Sequence, residues 1–321
     1  MRPFRPAWWL ANPHLQTLWG GLLGRPKLPE TRHERLELSD GDFLDLNWLD
    51  ASSEEAPLVL VFHGLQGSIR SPYVGRSLNA LKERGLRALF VHFRSCSGEP
   101  NRLARGYHAG DTGDIAEVIN MARARNPKTR LGAMAFSLGG NALLKHLGEE
   151  GEAALIEAAV AVSVPYDLSA CSSRLNSGFS RIYRGWLLGM IFRSVRTKRA
   201  LLEEAGVDVD AVIASKTLRE LDERLIAPLH DFEDADDYYA KSSCRPFVKE
   251  ITCPTLLIQG IDDPFLRPGI VPEEEECGPL VERHFSPRGG HVGFLEGHLP
   301  GCAKPYFAGP PIDWLASKLK V

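Results

Sequence analysis

The most constraining feature of the sequence is an alternation of short apolar runs with longer segments of helical periodicity. The mainly apolar runs cover residues 58–62, 88–93, 131–136, 159–164 and 254–259, and a further strand pattern covers residues 280–285. Segments of helical spacing cover residues 73–84, 114–125, 140–147 and 312–319. A strand that is apolar along its whole length must be buried on both faces, as in a parallel sheet covered by helices on both sides. The alternation therefore predicts an α/β fold with a mostly parallel central sheet.

Two segments depart from this alternation. Short strand patterns at residues 34–38 and 43–48 flank a turn-forming cluster, which predicts a hairpin at an antiparallel edge of the sheet. Between residues 167 and 249 helical patterns follow one another without a strand, which predicts a helical cap inserted in the fold. The sequence has no internal repeat and no Gly/Ser linker, so we expect a single domain over residues 1–321, with the first 29 residues packed on it as an arm.

Composition and charge restrict the classes of function. The chain has 321 residues, 44% of them hydrophobic, and a formal net charge of -3, so it can bury a large core but has no basic footprint for nucleic acid. Its six cysteines lack the spacing of a zinc site or a disulfide framework, and we expect reduced thiols in a cytoplasmic protein. No apolar stretch is long enough for a signal sequence or a membrane span, although Trp8, Trp9 and Leu10 leave a peripheral membrane contact open.

Ser137 stands where the strand pattern of residues 131–136 meets the helix pattern that follows it. The small residues two positions to either side, Ala135 and Gly139, allow the sharp turn of a nucleophile elbow, in which a strained backbone exposes the serine hydroxyl. Glycine is commoner at the position of Ala135, but alanine is still small. The alternative is a serine that caps the next helix. The junction of strand and helix favours a nucleophile.

His291 and Asp263 are the predicted partners of this serine. A serine nucleophile needs a base, and histidine exchanges a proton most readily near neutral pH. His291 lies in a glycine-lined loop directly after the last strand pattern, and His298 is the alternative. The acid should lie in the turn after the strand of residues 254–259, which gives the chain order Ser, Asp, His. Two aspartates occupy this turn, and their positions in it favour Asp263 over Asp262. A turn in which both aspartates only cap local amides is the plain alternative.

The loop after residues 58–62 is expected to stabilise the oxyanion that forms when serine attacks an ester carbonyl. It reads His63-Gly64-Leu65-Gln66-Gly67. The backbone amides of Leu65 and Leu138 are the two predicted donors, and a glycine turn without such a role is the alternative. No cofactor is expected for this chemistry.

A metal site at His108, Asp111 and Asp114 is a competing interpretation, because a spacing of three can place these side chains on one helical face. The segment fits the start of a helix better, with Asp114 in the first turn, where the helix dipole favours a carboxylate. We therefore expect no metal.

The cap segment between Arg181 and Arg199 predicts where a substrate would lie. Its apolar residues recur near helical spacing among six basic ones, Arg181, Arg184, Arg193, Arg196, Lys198 and Arg199. One interpretation is a core helix that packs on its own domain. The other is a roof over Ser137 whose basic residues meet an acidic head group or an anionic membrane surface. Trp186 and Phe265 are the predicted substrate-binding side chains.

Taken together, these motifs resemble the YheT-like group of α/β-hydrolases, also called the AB hydrolase 4 family. The matching segments are residues 8–17, 63–65, 93–94, 97–102, 136–141, 262–265 and 289–294, so the resemblance covers nearly the whole chain. It implies an α/β-hydrolase fold and hydrolysis of carboxylic esters by a triad of Ser137, Asp263 and His291. The chain departs from the usual pattern at Ala135 and Ser95, where glycine is commoner, and neither position carries a catalytic atom.

Three activities are compatible with this set of residues. The first is an esterase in which water resolves an acyl-enzyme. The second is a lipid-directed phospholipase or an acyltransferase with the same triad. The third is a catalytically silent hydrolase fold used for binding. Turnover of a short p-nitrophenyl ester separates the silent fold from the enzymes.

Overall fold

The computed structural model describes residues 1–22, 26–300 and 302–320. Within these residues, eight strands form one sheet in the order β1-β2-β4-β3-β5-β6-β7-β8. The strands are β1 (Arg32–Glu37), β2 (Phe43–Leu49), β3 (Leu58–Phe62), β4 (Arg87–Val91), β5 (Leu131–Phe136), β6 (Ala158–Val162), β7 (Thr255–Gly260) and β8 (Val281–Ser286). β2 pairs antiparallel with both β1 and β4, and the other neighbours pair parallel. The predicted mostly parallel sheet and the predicted edge hairpin are confirmed.

Twelve helices are present in the described residues, and most of them lie between parallel strands. They are α1 (Pro13–Leu22), α2 (Pro72–Glu83), α3 (Gly113–Arg125), α4 (Leu138–Glu150), α5 (Leu168–Arg174), α6 (Ser180–Thr197), α7 (Arg199–Glu204), α8 (Val209–Ile213), α9 (Leu218–Leu221), α10 (Ala227–Leu229), α11 (Ala235–Ser242) and α12 (Pro310–Lys318). Short 3-10 turns lie at Trp8–Leu10, Gly151–Ala153, Arg245–Glu250, Glu274–Glu276 and Tyr306–Ala308, and one π-helical turn lies at Asp222–Ile226. A small antiparallel pair joins β9 (Leu295–Glu296) and β10 (Lys304–Pro305).

Alternate side chains of the strands pack against different helices, because successive residues of a strand point to opposite faces of the sheet. On one face, Leu60 of β3 shares a core with Ile115 of α3 and Leu143 of α4. On the other face, Val61 of β3 shares a core with Leu78 of α2 and with α12. Both faces of the central strands are therefore covered, which explains why these strands are uninterrupted apolar runs.

The segment between β6 and β7 consists of helices and turns, and none of its residues, all of which are described, forms a strand. Leu188 and Ile191 of α6 pack with Val209 and Val212 of α8 in a small core of their own. This segment therefore has packing of its own beside the carboxyl ends of the parallel strands, where ligands bind in open α/β sheets.

The division of the chain into domains stays a prediction, with one domain over residues 1–321 and a cap inserted at residues 167–249. The N-terminal arm is described up to residue 22 and again from residue 26, and residues 23–25, 301 and 321 lie outside the described part of the chain. Helix α1 of the arm packs on the domain, since Gln16 is fully buried. None of the described helices has the length and apolarity needed to cross a bilayer.

Candidate active site

Ser137 lies between β5 and α4, at the edge of the sheet where the parallel strands end. Its backbone has φ 51° and ψ -123°, a conformation that residues with side chains rarely adopt, so the turn holds the serine under strain. Its amide donates a hydrogen bond to the carbonyl of Val162 at 2.9 Å, which fixes the turn to the neighbouring strand. The hydroxyl makes no capping hydrogen bond to α4, so the alternative of a capping side chain is wrong.

Two glycines let this turn pack against the loop after β3. A Cβ at Gly139 would lie 2.4 Å from the carbonyl oxygen of His63, and a Cβ at Gly64 would lie 3.0 Å from the Cβ of Ser137. A side chain at residue 139 would therefore collide with backbone. Ala135, where glycine is commoner, is fully buried in β5, so its methyl group is accommodated. The two loops thus approach closely enough to face the same small group.

His291 lies in the loop after β8 and reaches the serine hydroxyl. Its Nε2 is 3.0 Å from the Oγ of Ser137, a hydrogen-bond distance for a base and its nucleophile. The loop passes through left-handed backbone at Gly290, where φ is 60°. His298, the alternative base, is exposed and does not line the cavity around the serine. The structure brings His291, and not His298, to Ser137.

The two adjacent aspartates after β7 have different partners. Oδ2 of Asp263 is 2.9 Å from Nδ1 of His291. The carboxylate of Asp263 also accepts hydrogen bonds from the Gln259 side chain at 3.1 Å and from the Phe265 amide at 2.8 Å. Asp262 instead accepts a hydrogen bond from an amide of the histidine loop at 3.0 Å, and burial raises the pKa of Asp262. Asp263 therefore contacts the imidazole, and Asp262 contacts the loop that carries it.

Two tyrosines that the sequence analysis missed hold the loop after β3. The amide of Gly64 donates to Oη of Tyr73 at 3.0 Å, and the amide of Gln66 donates to Oη of Tyr107 at 2.7 Å. Burial raises the pKa of both phenols, so they stay neutral. Tyr107 lies 41 residues from its partner, and no local motif signals such a contact.

Leu65 and Leu138 line the same cavity as Ser137, and neither backbone amide has an acceptor within residues 1–22, 26–300 and 302–320. The loop before Leu65 is fixed by the buried imidazole of His63. Burial lowers the pKa of His63 to about 3, so it is neutral. Its Nε2 accepts a hydrogen bond from the Phe93 amide at 3.1 Å, which leaves Nδ1 to donate to the Gly64 carbonyl at 2.6 Å. The structure therefore leaves these two amides unpaired in residues that line the cavity around the serine.

Helix α1 of the arm contacts the histidine loop directly, a feature that the sequence analysis also missed. Oγ1 of Thr17 accepts a hydrogen bond from the amide of His291 at 2.9 Å and donates one to the carbonyl of Pro13 at 2.8 Å. The side chain of Gln16 makes two hydrogen bonds with the backbone of Leu295, at 2.7 and 3.1 Å. The arm therefore helps to hold the loop that carries His291.

A cavity of about 860 Å³ lies beside Ser137, between the edge of the sheet and the cap. Its lining is mainly apolar and includes Leu187 of α6. Phe265 stacks on the imidazole of His291, with ring centroids 4.0 Å apart. Trp186 also lines the cavity, but 62% of its surface is exposed, so it lies at the rim. Both predicted substrate-binding side chains border the cavity, at different depths.

The residues of the alternative metal site have other partners. The carboxylate of Asp114 pairs with Arg94 at 2.7 Å, and that of Asp111 pairs with Arg105 at 3.0 Å. His108 packs among aromatic rings, and burial lowers its pKa to about 2. Asp114 lies in the first turn of α3, as the helix interpretation predicted. In the described part of the chain, no group of three or more His, Cys, Asp or Glu side chains could hold a metal ion.

Three features together are those of the α/β-hydrolase class. They are the order of the strands in the sheet, the strained serine after β5 and the histidine after β8. A solved structure of this architecture, the Pyrococcus furiosus esterase Pf2001, matches the chain with a TM-score of 0.56 over 91% of both chains. At 17% sequence identity this likeness shows the fold alone. It confirms the α/β-hydrolase fold that the sequence motifs implied.

Comparison with curated sequences gives the family. No family model matches the chain. A protein of Escherichia coli (strain K12) named "Putative esterase YheT" is 38% identical over 299 residues, which cover 92% of this chain and 88% of that protein. The human protein named phospholipase ABHD3 is 28% identical over 305 residues, 92% of this chain and 75% of that protein. The chain belongs to the YheT-like family of α/β-hydrolases, as its motifs indicated.

Proposed function

We propose that this protein is a serine hydrolase that cleaves carboxylic esters, with Ser137 as nucleophile, His291 as general base and Asp263 as the acid that orients the base. The observation that carries the proposal is the unbroken row of contacts from Ser137 to His291 to Asp263, at 3.0 and 2.9 Å. The chain order Ser, Asp, His is that of the α/β-hydrolases. The name of the YheT relative supports the same reaction.

In the first half of the proposed reaction, Oγ of Ser137 attacks the ester carbonyl carbon while Nε2 of His291 takes the hydroxyl proton. Asp263 accepts the N–H at Nδ1 and stabilises the imidazolium. The tetrahedral intermediate then collapses, and His291 gives its proton to the departing alcohol. In the second half, His291 takes a proton from water as the water attacks the acyl-serine. Collapse of the second tetrahedral intermediate releases the carboxylic acid as His291 returns its proton to Oγ, which restores the serine hydroxyl.

The amides of Leu65 and Leu138 are the proposed oxyanion hole. Both residues line the cavity that contains Ser137, and neither amide has an acceptor in the described residues. Donors that are fixed before the reaction need no reorganisation, and loss of one such donor costs about 10²–10³ in rate in a well-studied serine protease. Tyr73 and Tyr107 engage the amides on either side of Leu65, which supports a hole that is fixed in advance.

The proposed substrate is an ester with an apolar acyl chain. A cavity of about 860 Å³ lies within the size range of small-molecule pockets, which are mostly apolar with a few polar groups at the reacting end. Leu187 faces this cavity from α6, and Phe265 adjoins it beside His291. We propose that these two side chains contact the substrate and that Trp186 borders its entry.

A phospholipase with the same triad is the second candidate. The size and apolar lining of the cavity favour it, as does the phospholipase name of the human relative. An acyltransferase would use an alcohol rather than water to resolve the acyl-enzyme. Product analysis with a phospholipid substrate separates these activities, because the phospholipase releases free fatty acid and the acyltransferase a new ester.

We also propose a cytoplasmic location. All six cysteines are free, and three of them, Cys171, Cys244 and Cys253, are buried. Unpaired thiols are typical of the reducing cytosol, whereas secreted proteins commonly carry disulfides. Cell fractionation of the tagged full chain checks this location.

Hydrolysis of p-nitrophenyl esters tests the proposed function. We expect the wild-type protein to turn over the acetate and the butyrate, and the Ser137→Ala variant to lose this turnover. The fold of the variant should be unchanged, because a single hydroxyl at a partly exposed position contributes little to stability. Circular dichroism provides that control. A wild-type protein that binds these esters but releases no p-nitrophenol is a silent hydrolase fold, and the proposal fails.

A further inference from the structure

Helices α1 and α6 present an exposed apolar surface at the entrance of the cavity. Ile182 and Trp186 of α6 are 59% and 62% exposed, and Leu15 and Leu18 of α1 are 45% and 43% exposed. Leu18 and Trp186 also line the cavity, so the cavity reaches the surface between these helices. We call these four side chains, together with Phe179 directly before α6, the rim patch.

The two helices of the rim patch are held together by direct contacts. Nδ1 of His14 in α1 lies 3.1 Å from Oη of Tyr183 in α6. The imidazole of His14 also packs on Phe179, with ring centroids 4.4 Å apart. Tyr183 packs in turn on Phe265, which stacks on His291. These contacts join α1 to α6 at the rim patch and connect both helices, through Tyr183 and Phe265, to the candidate base.

Positive charge is concentrated around the rim patch. Residues 168–202 contain seven basic residues and no acidic one, although the whole chain has a net charge of -3. Five of the seven, Arg174, Arg181, Arg184, Arg193 and Arg196, make no ion pair with a carboxylate in the described part of the chain, and two of these five bond to neutral partners. Arg199, by contrast, pairs with Glu203 and Asp210. The charge of α6 is therefore not neutralised within the described chain.

We propose that the rim patch and the arginines around it dock on an anionic membrane surface. Exposed Trp, Phe and Leu side chains enter the boundary between lipid head groups and acyl chains, and nearby basic residues are attracted to anionic head groups. The arginines of α6 are spread along the helix and lack carboxylate partners. This arrangement matches the many distributed anionic head groups of a fluid bilayer. The docked face would open the cavity toward the bilayer, so that a lipid ester could reach Ser137, a step that rests on the proposed function.

The rim patch includes the cap segment for which the sequence analysis offered an anionic membrane surface, and it differs from the other membrane contact left open there, at Trp8, Trp9 and Leu10. Leu10 is buried, and Trp9 packs on Trp19 with ring centroids 5.2 Å apart. Trp8 alone of the three is largely exposed. The expected contact at this turn is therefore reduced to one side chain, and the larger apolar surface lies at the rim patch.

Sedimentation of the full chain with lipid vesicles tests the proposal. We expect binding to vesicles of phosphatidylcholine with phosphatidylserine and little binding to phosphatidylcholine alone. One basic residue near an anionic surface strengthens binding about fivefold, so Arg181→Gln combined with Arg193→Gln should weaken it about 25-fold. Leu15→Ser combined with Ile182→Ser should also weaken it, because both side chains are exposed apolar members of the patch. Equal binding to both vesicle types overturns the proposal.

A matched variant controls for total charge. Lys128→Gln combined with Lys249→Gln removes the same two charges from exposed positions that precede β5 and β7, at the edge of the sheet opposite the cavity. This variant should bind like the wild type, and a loss as large as that of the arginine pair overturns the proposal. Ser137→Ala should bind vesicles normally, because docking needs no catalysis. A wild-type protein that binds vesicles as expected but does not turn over esters would therefore contradict only the proposed function.

Discussion

At the scale of single residues, two adjacent aspartates have different partners. Asp263 has no exposed side-chain surface and contacts the imidazole of His291, whereas Asp262 accepts a hydrogen bond from Gly290 in the same loop. An acid beside Nδ1 fixes the histidine tautomer and stabilises the imidazolium, which a carboxylate bound to loop backbone cannot do. The two positions should therefore respond differently to the same substitution.

We expect Asp263→Asn to lower kcat for p-nitrophenyl butyrate by roughly 10⁴, because an asparagine in this position stabilises the wrong histidine tautomer. Asp262→Asn keeps an oxygen that can accept the Gly290 amide, and its loss of kcat should be tenfold at most, on the order of one hydrogen bond. Steady-state kinetics of the two purified variants measures the difference. The reverse ranking would show that Asp262 is the acid of the triad.

The residues proposed for the chemistry could be identified from sequence because each lies in a short motif that the backbone requires. Small residues surround Ser137, and glycines surround His291, since both turns pack tightly. The sequence favoured Asp263 over Asp262 only by its position in the turn, and the structure adds the partners of each side chain, Gly290 for Asp262 and His291 for Asp263. The supporting residue Tyr107 has no such motif, because its partner is distant in the chain.

At the scale of elements, helix α1 joins the N-terminal arm to the site. Its Thr17 is 274 residues from His291 in the chain, yet it accepts the amide hydrogen of that residue. An unpaired buried amide costs about 1–3 kcal/mol, so the loop should shift when this acceptor is removed. A shift of the imidazole relative to Ser137 would affect catalysis more than substrate binding.

We expect Thr17→Val to lower kcat for p-nitrophenyl butyrate about tenfold, with KM nearly unchanged, because valine has the shape of threonine but no acceptor. Thr17→Ser keeps the hydroxyl and should restore most of the rate. Kinetics of both variants, with thermal melts as a control for folding, provides the test. Equal kcat values for Thr17→Val and the wild type would mean that α1 does not position the base.

Helix α6 has an inner and an outer face, and side chains on the two faces should affect acyl specificity differently. Leu187 is buried and lines the cavity, whereas Trp186 lies at its rim. We expect Leu187→Ala to change the dependence of kcat/KM on acyl length, at up to about fourfold for each methylene that loses or gains contact. Trp186→Ala should have a smaller effect. A series of p-nitrophenyl esters from acetate to decanoate measures this, and an unchanged profile in both variants would place the acyl chain elsewhere.

The sequence predicted the existence of the elements better than their ends. Helical spacing indicated residues 140–147 for α4, which extends over Leu138–Glu150. Gly139 concealed its start, since glycine is unfavourable inside a helix. In the structure a side chain at residue 139 would collide with His63, so close packing decides that position rather than helix propensity. Local patterns cannot reveal such tertiary requirements.

At the scale of the whole molecule, a buried polar network joins the edge hairpin to the cavity. Asp42 accepts a hydrogen bond from Asn101 at 2.7 Å and pairs with Arg94 at 3.2 Å. Arg94 also pairs with Asp114 and lines the cavity. Burial alone raises the pKa of Asp42, but hydrogen bonds from Asn101 and from backbone amides outweigh burial, so the pKa lies below its ordinary value. The network should therefore stabilise the fold in a pH-dependent way.

We expect Asp42→Asn to lower the free energy of unfolding at neutral pH by about 3 kcal/mol, because it removes one partner of a buried ion network. The lowered pKa means that this stabilisation is complete above the unfolded-state pKa, about 3.9, and is lost as the pH falls through the folded-state value. Urea unfolding across this range should show the two proteins converging in acid. If the difference in unfolding free energy between Asp42→Asn and the wild type does not change with pH, the stabilisation does not come from the ionised carboxylate of Asp42.

The central claim is that Ser137 is the nucleophile of a hydrolase, and covalent labelling tests it most directly. A fluorophosphonate reacts with a serine whose hydroxyl is activated by a neighbouring base, and the adduct stays on that residue. We expect peptide mapping of the labelled full chain to find the phosphonyl group on Ser137 alone, and the Ser137→Ala variant to remain unlabelled. Labelling that persists in Ser137→Ala, or that maps to another serine in the wild type, would contradict the claim.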